Sequence, residues 1–265
     1  MTMTDALFED LGSGHYRATA LSIGPWSRDA LHGGAPSALL AGRLIEAIDA
    51  AAMGDFVPAR FTAELLRPVP LTPLRLSAHV RRPGRKVAVA DASLVTEDGT
   101  TVMQATLSCI RDAPVDHGSS PTDVVPSGPG GGSGIDTEGS GPVAFHSHAV
   151  QHRFVDGRFE TPGPAVDWIR LVVPVLGGVD VHPLERVAAA TDFGNGISAL
   201  FTFDEMLFIN PVLSVFLTQL PAGEWIGLDA QTRVGPVGVG WAESLVFDTE
   251  GVVGRSVQTL LVEPR

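Results

Sequence analysis

The feature that most constrains this chain is that it is written twice. Residues 113–144, APVDHGSSPTDVVPSGPGGGSGIDTEGSGPVA, are mostly Pro, Gly, Ser and Asp. Such a stretch buries too little apolar surface to offset its ordering entropy, so it reads as a flexible linker. It separates flanks 1–112 and 145–265, each of ordinary domain size. The flanks resemble each other. The first carries LHGGAPSALLAGRLIEAIDAA, Gly-rich and then apolar at helical spacing (Leu39, Leu40, Leu44, Ile48). The second carries TDFGNGISALFTFDEML, again Gly-rich and then apolar. Each continues through a Pro-containing extended stretch. Each ends in alternating segments around an acidic-Gly turn, Asp98-Gly99 or Glu250-Gly251, the pattern of β-hairpins. RRPGRK at 81–86 reads as another turn, with Pro-Gly favouring type II. Each flank is therefore a strand, one central helix and several antiparallel strands, an α+β layer arrangement. Two such units can join edge to edge and pair their helices about a pseudo-twofold axis.

Charge and composition remove several function classes. The 18 basic and 30 acidic residues leave a net charge of −12, which argues against nonspecific binding to nucleic acid or an anionic membrane. The only lysine is Lys86, so no P-loop is present and Schiff-base chemistry has no ready nucleophile. Cys109 is the single cysteine, which rules out an intrachain disulfide and a Cys-based zinc site. MTMTDALFEDLG has no apolar leader pattern, and no uncharged apolar run approaches the roughly 20 residues of a membrane span. A cytoplasmic location is expected, with no membrane span.

Several side chains invite a chemical reading. Asp192 precedes a Gly-punctuated helix start and is placed either as an N-cap or as a catalytic base. His32 stands before Gly33-Gly34, as a second base candidate or as a cap. Gly33 and Gly34 would expose backbone N–H groups at a helix start, aimed at developing negative charge. His146, His148 and His152 fall at even spacings and would share a strand face, a geometry open to metal or to simple solvation. GNGISA at 194–199 matches a loose dinucleotide fingerprint, but the antiparallel pattern downstream argues against a βαβ unit. Cys109 lies on an apolar terminal strand and reads as buried and inert. No Gly-x-Ser-x-Gly elbow occurs.

The pieces LHGGAPSALLAGRLIEA, FTAELLRPVPLTPL, RFETPGPAVDWIRL, AATDFGNG, PAGEWIGLDAQT and SVQTLLVEPR, in that order, resemble the acyl-CoA thioesterases of the bacterial type II class and their actinobacterial relatives. The resemblance implies a double hot-dog fold: two tandem units, each a long central helix wrapped by a curved antiparallel sheet. It implies hydrolysis of an acyl-CoA thioester to free acid and CoA, with no cofactor and no metal. It also implies a water-binding trio of Asp, Thr and Gln, carried here by Asp192 and Gln258, with Asn210 in the Thr position. Ser214 is the nearest hydroxyl, and Val212 stands where the family commonly has an Asp. By the internal repeat, His32-Gly33-Gly34 would correspond to Asp192. One composite site would then form from Gly33, Gly34, His32 and the Asp192/Gln258 pair. Its mirror image would lack a carboxylate and be silent.

CoA phosphates need local positive charge in an acidic protein, and Arg81, Arg82 and Arg85 in RRPGRK are the candidates. Trp26, Trp168, Phe201, Phe203 and Phe216 are candidates to close an acyl tunnel. The departures at 210 and 212 keep a second reading open, a protein that binds acyl-CoA or lipid without turnover. A hot-dog acyl-CoA dehydratase or hydratase, pairing His32 with Asp192, is a third. A homo-oligomer through the outer sheet face or the sheet edges is also open.

Overall fold

A computed structural model describes residues 5–116, 125–134 and 141–265. The first flank runs β1 (Phe8–Gly12), β2 (His15–Ala18), α1 (Gly34–Ala50), β3 (Phe56–Leu65), β4 (Leu74–Pro83), β5 (Val87–Thr96) and β6 (Thr101–Arg111). A short strand β7 (Ser133–Gly134) leads to β8 (Val150–Arg158), β9 (Thr161–Leu171), α2 (Pro183–Thr191) and α3 (Gly194–Ile197). β10 (Met206–Leu217), β11 (Trp225–Val234), β12 (Val239–Phe247) and β13 (Val252–Pro264) complete the chain.

Among the described residues the strands form one sheet of order β1-β2-β4-β5-β6-β3-β10-β13-β12-β11-β9-β8-β7. Neighbours pair antiparallel throughout. The halves meet at β3 and β10, with Ala63 opposite Leu213 and Thr62 Oγ1 3.2 Å from Ser214 Oγ. Burial alternates residue by residue, as in β5, so one face carries Ala88, Ala90, Ala92 and Leu94 into the core. The outer face exposes Phe216, Val239, Trp241, Val257 and Leu261. No helix among the described residues is long and apolar enough to cross a membrane.

The strands repeat at a shift of 150 residues, which carries His32 onto His182. The same shift carries the first residues of β3, β4, β5 and β6 to within two positions of those of β10, β11, β12 and β13. Counterparts also stand at matching distances from the β3–β10 junction. The helices follow that register. α1 begins after His32, and α2 begins after His182 with Pro183 in its first turn. Both imidazoles stand beside the first backbone N–H groups of their helices. Gly34 N lies 3.1 Å from His32 Nδ1, and Leu184 N lies 3.1 Å from His182 Nδ1.

This corrects the expected register: the counterpart of His32 is His182, and that of Asp192 is Gly42. It also corrects the expected second helix. PLERVAAAT forms a nine-residue helix, Asp192 closes its C-terminal end, and the helix that follows has four residues. The glycines after Asp192 mark the break in a helix and not its start.

α1 and α2 pack on each other through small residues. A Cβ on Gly34 would stand 2.6 Å from the carbonyl oxygen of Ala189, so only glycine permits this approach. Gly84 in RRPGRK has no positive φ, so the turn is not type II. Glycine is required there because a Cβ would run into the carbonyl of Val87. Within the Pro/Gly/Ser segment, residues 125–134 are docked. Trp168 Nε1 donates to Ser127 O at 2.7 Å, and β7 pairs with β8. Positions 117–124 and 135–140 of that segment lie outside the described residues.

Candidate active site

The N-terminal end of α1 faces the C-terminal end of α2 across the two halves. Gly33 takes the N-cap position of α1 without a side-chain cap, which leaves its first N–H groups for another acceptor. Asp192 supplies one. Its Oδ2 lies 2.9 Å from His32 Nδ1, and its Oδ1 accepts from Asn210 Nδ2 at 2.7 Å. Both His32 and Asp192 are buried. Gly34 N–H points to the same place, 3.1 Å from His32 Nδ1 and within reach of the carboxylate. Only one hydrogen fits between Nδ1 and Oδ2. With Asp192 ionised it belongs to Nδ1, and the Gly34 N–H then serves the carboxylate. Burial acts to raise the Asp192 carboxyl. The imidazole of His32, the Asn210 amide and the Gly34 N–H outweigh it and hold the group below its ordinary value.

Gln258 stands behind Asp192, not beside its carboxylate. It points inward on β13 with Leu260 and Val262. Its Nε2 donates to Asp192 O at 3.1 Å and to Asn195 Oδ1 at 3.3 Å, and its Oε1 accepts from Asn195 N at 2.9 Å. The amide therefore bridges the break between α2 and α3. Its hydrogen bonds go to the main chain and to Asn195, and it is not a wall of the cavity. Asn195, not anticipated from sequence, is a wall.

That cavity has a volume of about 780 Å³. His32, Gly33, Asp192, Asn195 and Asn210 line its polar end, and Trp26, Leu65, Phe159, Phe193, Phe203 and Phe208 make much of the rest. Of the expected tunnel residues, Trp26 and Phe203 are walls. Trp168 is buried against Phe247, Phe216 is half exposed, and Phe201 packs beside Ala199 and Phe208 without reaching the cavity.

The structure does not bring Arg81, Arg82 or Arg85 to this site. Residues 65–69 of the cavity wall lie between the end of β3 and the start of β4. RRPGRK is at the far end of that ten-residue strand, about 30 Å along it. Arg81 Nε is paired with Asp91 Oδ2 at 2.5 Å. Arg67 is the cation in the cavity wall.

The three histidines are also placed differently from expectation. His146 and His148 lie in a single π-turn, Phe145–Ala149, and only His152 is on a strand. They share no strand face, and among the described residues no group of three His, Cys, Asp or Glu is arranged to hold a metal. His152 instead forms a second buried His–Asp pair. Its Nδ1 lies 2.5 Å from Asp167 Oδ2, Arg153 N donates to Asp167 Oδ1 at 3.0 Å, and its Nε2 has no partner. Burial raises the Asp167 carboxyl despite the His152 imidazole and the Arg153 N–H. Cys109 is buried, and its thiol is pushed up to about 12, chiefly by burial.

The mirror position is not empty of carboxylate, as the repeat had implied. Gly42, the counterpart of Asp192, leaves room that the Glu185 side chain fills. Glu185 Oε2 accepts from His182 N at 2.7 Å and closes a capping box.

Comparisons with known proteins agree with this architecture. Residues 22–110 match a family model described as the acyl-CoA thioesterase N-terminal domain, and residues 121–262 match its C-terminal domain. Among solved structures, a candidate thioesterase II from Thermobifida fusca YX has a TM-score of 0.75 at 21% identity, over 99% of this chain and 98% of that one. A conserved protein of unknown function with a hot dog fold from Alicyclobacillus acidocaldarius has a TM-score of 0.71 at 16% identity, covering 99% of this chain and 96% of that one. An acyl-CoA thioesterase II from Mycobacterium marinum has a TM-score of 0.67 at 15% identity, over 100% and 98%. The fold is an α+β hot-dog fold. No curated protein matches the chain.

Proposed function

Because this chain belongs to the acyl-CoA thioesterase family and is a thioester hydrolase, we propose that one composite site, built by His32 and Asp192 from opposite halves, hydrolyses an acyl-CoA to free acid and CoA. On this reading the chain is a double hot-dog, with units 1–112 and 145–265 joined by 113–144. The N- and C-terminal family matches and the repeated strand order support it.

The observation that carries the mechanism is the 2.9 Å contact between His32 Nδ1 and Asp192 Oδ2 at the cavity wall. Asp192, held ionised, fixes the proton on Nδ1 and leaves Nε2 with its lone pair. Among the described residues Nε2 has no hydrogen-bond partner. A water in the cavity gives its proton to Nε2 as its oxygen attacks the thioester carbon. The C–S bond then breaks, and the imidazolium returns the proton to the departing sulfur. Asn210, in the position expected for Thr, steadies the carboxylate, and its contact with Asp192 weighs against a site that binds without turnover. Asp192 alone is a weaker candidate for the proton acceptor, since its carboxyl is held low and three donors surround it.

Release of CoA from a panel of short to long acyl-CoAs, read with a thiol reagent, tests this. Asp192→Asn and His32→Gln should each lower kcat by about 10²–10⁴ with the fold intact. His32→Gln within tenfold of the parent would return the base to Asp192 alone. A parent that releases no CoA would end the hydrolase reading. Loss of an enoyl-CoA's conjugated absorbance without CoA release would turn the same His–Asp pair to hydration.

A further inference from the structure

The polar end of the cavity holds a base but few free donors. The sequence places two backbone N–H groups at the helix start of α1 for a developing oxyanion. The Gly34 N–H is instead turned to His32 and Asp192. A second donor must come from elsewhere in the wall.

His146 is a wall residue. It follows Phe145, whose ring packs 4.8 Å from the His32 ring. The Nδ1 of His146 is sealed from solvent and has no partner. A residue that lines the cavity while Nδ1 is sealed presents the opposite ring edge, which carries Nε2. Burial, with the neighbouring imidazoles of His32, His152 and His148, pushes His146 down to about 4, so the ring is uncharged at neutral pH. A neutral imidazole has one N–H and one lone pair. An orphaned buried N–H is rarer in proteins than an under-satisfied acceptor, so the lone pair belongs on the sealed Nδ1 and the hydrogen on Nε2.

We propose that His146 is a further catalytic residue, donating a hydrogen bond from Nε2 to the thioester carbonyl oxygen as that oxygen becomes negative. The proposal rests on the hydrolase reading above. A neutral donor suits this position. The other titratable groups of the wall are His32, Asp192, Glu160 and Arg67. A cationic ring here would oppose the positive charge that its neighbour His32 takes up with the proton of the water, whereas a neutral ring stabilises the oxyanion without that repulsion. His152 sits behind the wall, edge-on to the cavity residues Phe159 and Phe193, and helps to keep His146 uncharged.

The test is CoA release by the parent, His146→Leu, His146→Gln and His146→Glu, with kcat and KM resolved and folding followed by thermal melting. His146→Leu should lose about 10²–10³ in kcat with KM within about threefold. Gln and Glu have nearly the same shape, so packing is matched between them. Gln keeps an N–H donor and should retain at least ten times the kcat of Glu. Equal kcat for Gln and Glu, or kcat of a folded His146→Leu within threefold of the parent, would overturn the assignment. So would a loss carried by KM alone, which would make His146 a packing residue of the wall. An active parent with an indifferent His146 sinks this inference alone, while a parent inactive on the whole panel sinks the hydrolase reading with it.

Discussion

A Cβ placed on Gly33 would stand 2.9 Å from both carboxylate oxygens of Asp192 and 2.9 Å from Leu65 Cδ2. The residue that caps the start of α1 in one half is thus packed directly on the carboxylate supplied by the other. Gly33→Ala should push Asp192 off His32 and lower kcat by tenfold or more, because a misplacement of about 1 Å at a reacting group is enough for losses of that order. Gly34→Ala strikes a different partner, the Ala189 carbonyl at 2.6 Å, and that is backbone of the facing helix. It should chiefly lower Tm. Kinetics and melting curves on the pair would check the distinction, and equal effects on both readouts would refute it.

Gln258 bridges the break between α2 and α3, and its loss should register in stability as well as rate. Gln258→Ala strips the buried Asn195 N–H and the Asp192 carbonyl of their side-chain partner. Leaving buried polar groups unsatisfied costs about 1–3 kcal/mol each. For a chain of this size the two together correspond to a fall in Tm of at least about 4 °C. The rate should fall through kcat, as Asp192 shifts with the loosened helix break. A variant with normal Tm and no activity would instead place Gln258 in contact with substrate.

Arg67 is the cavity's cation, and the hairpin arginines are far from it. Arg67→Ala should raise KM for acyl-CoA by roughly three- to tenfold, an effect that shrinks with added salt as expected of an exposed charge. Replacing Arg81, Arg82 and Arg85 together should leave KM unchanged. A KM that follows the hairpin arginines and ignores Arg67 would place the CoA phosphates at the other end of the strands.

The strands were legible in the sequence because their signals are local. Alternation and acidic-Gly turns located β5, β6, β12 and β13 and the hairpins between them. Asp192 was found for the wrong local reason. The residue closes α2, whereas the glycines after it look like a helix start. The true start, His182-Pro183 with Glu185 two residues on, is easily passed over because histidine is not among the usual N-caps. Asp167 was missed because it is one acid in a strand, and its partner His152 comes from the neighbouring strand. Such pairings depend on register, which no single segment declares. The meeting of His32 with Asp192 was legible as a composite site across the halves, while the 2.9 Å contact itself follows from how the two helices pack.

Glu185 ties stability to pH. Burial pushes its carboxyl from 4.5 to about 7, against the opposing pull of the His182 N–H and of Arg43. Well below pH 4.5 the group is protonated in both the folded and the unfolded chain and carries no penalty. Between 4.5 and about 7 the unfolded chain gives up its proton while the folded chain keeps it, so stability falls as pH rises. Above about 7 the folded group is ionised too, and the burial penalty is present in full, on the order of 3 kcal/mol. Glu185→Gln keeps an oxygen for the His182 N–H and has no charge to bury. Its melting temperature should exceed that of the parent by several degrees at pH 8, and the gap should close toward pH 4. Thermal melts of both proteins across that range check this. Parallel curves would mean that Glu185 finds compensation for its charge in the folded chain, with Arg43 as the first group to examine.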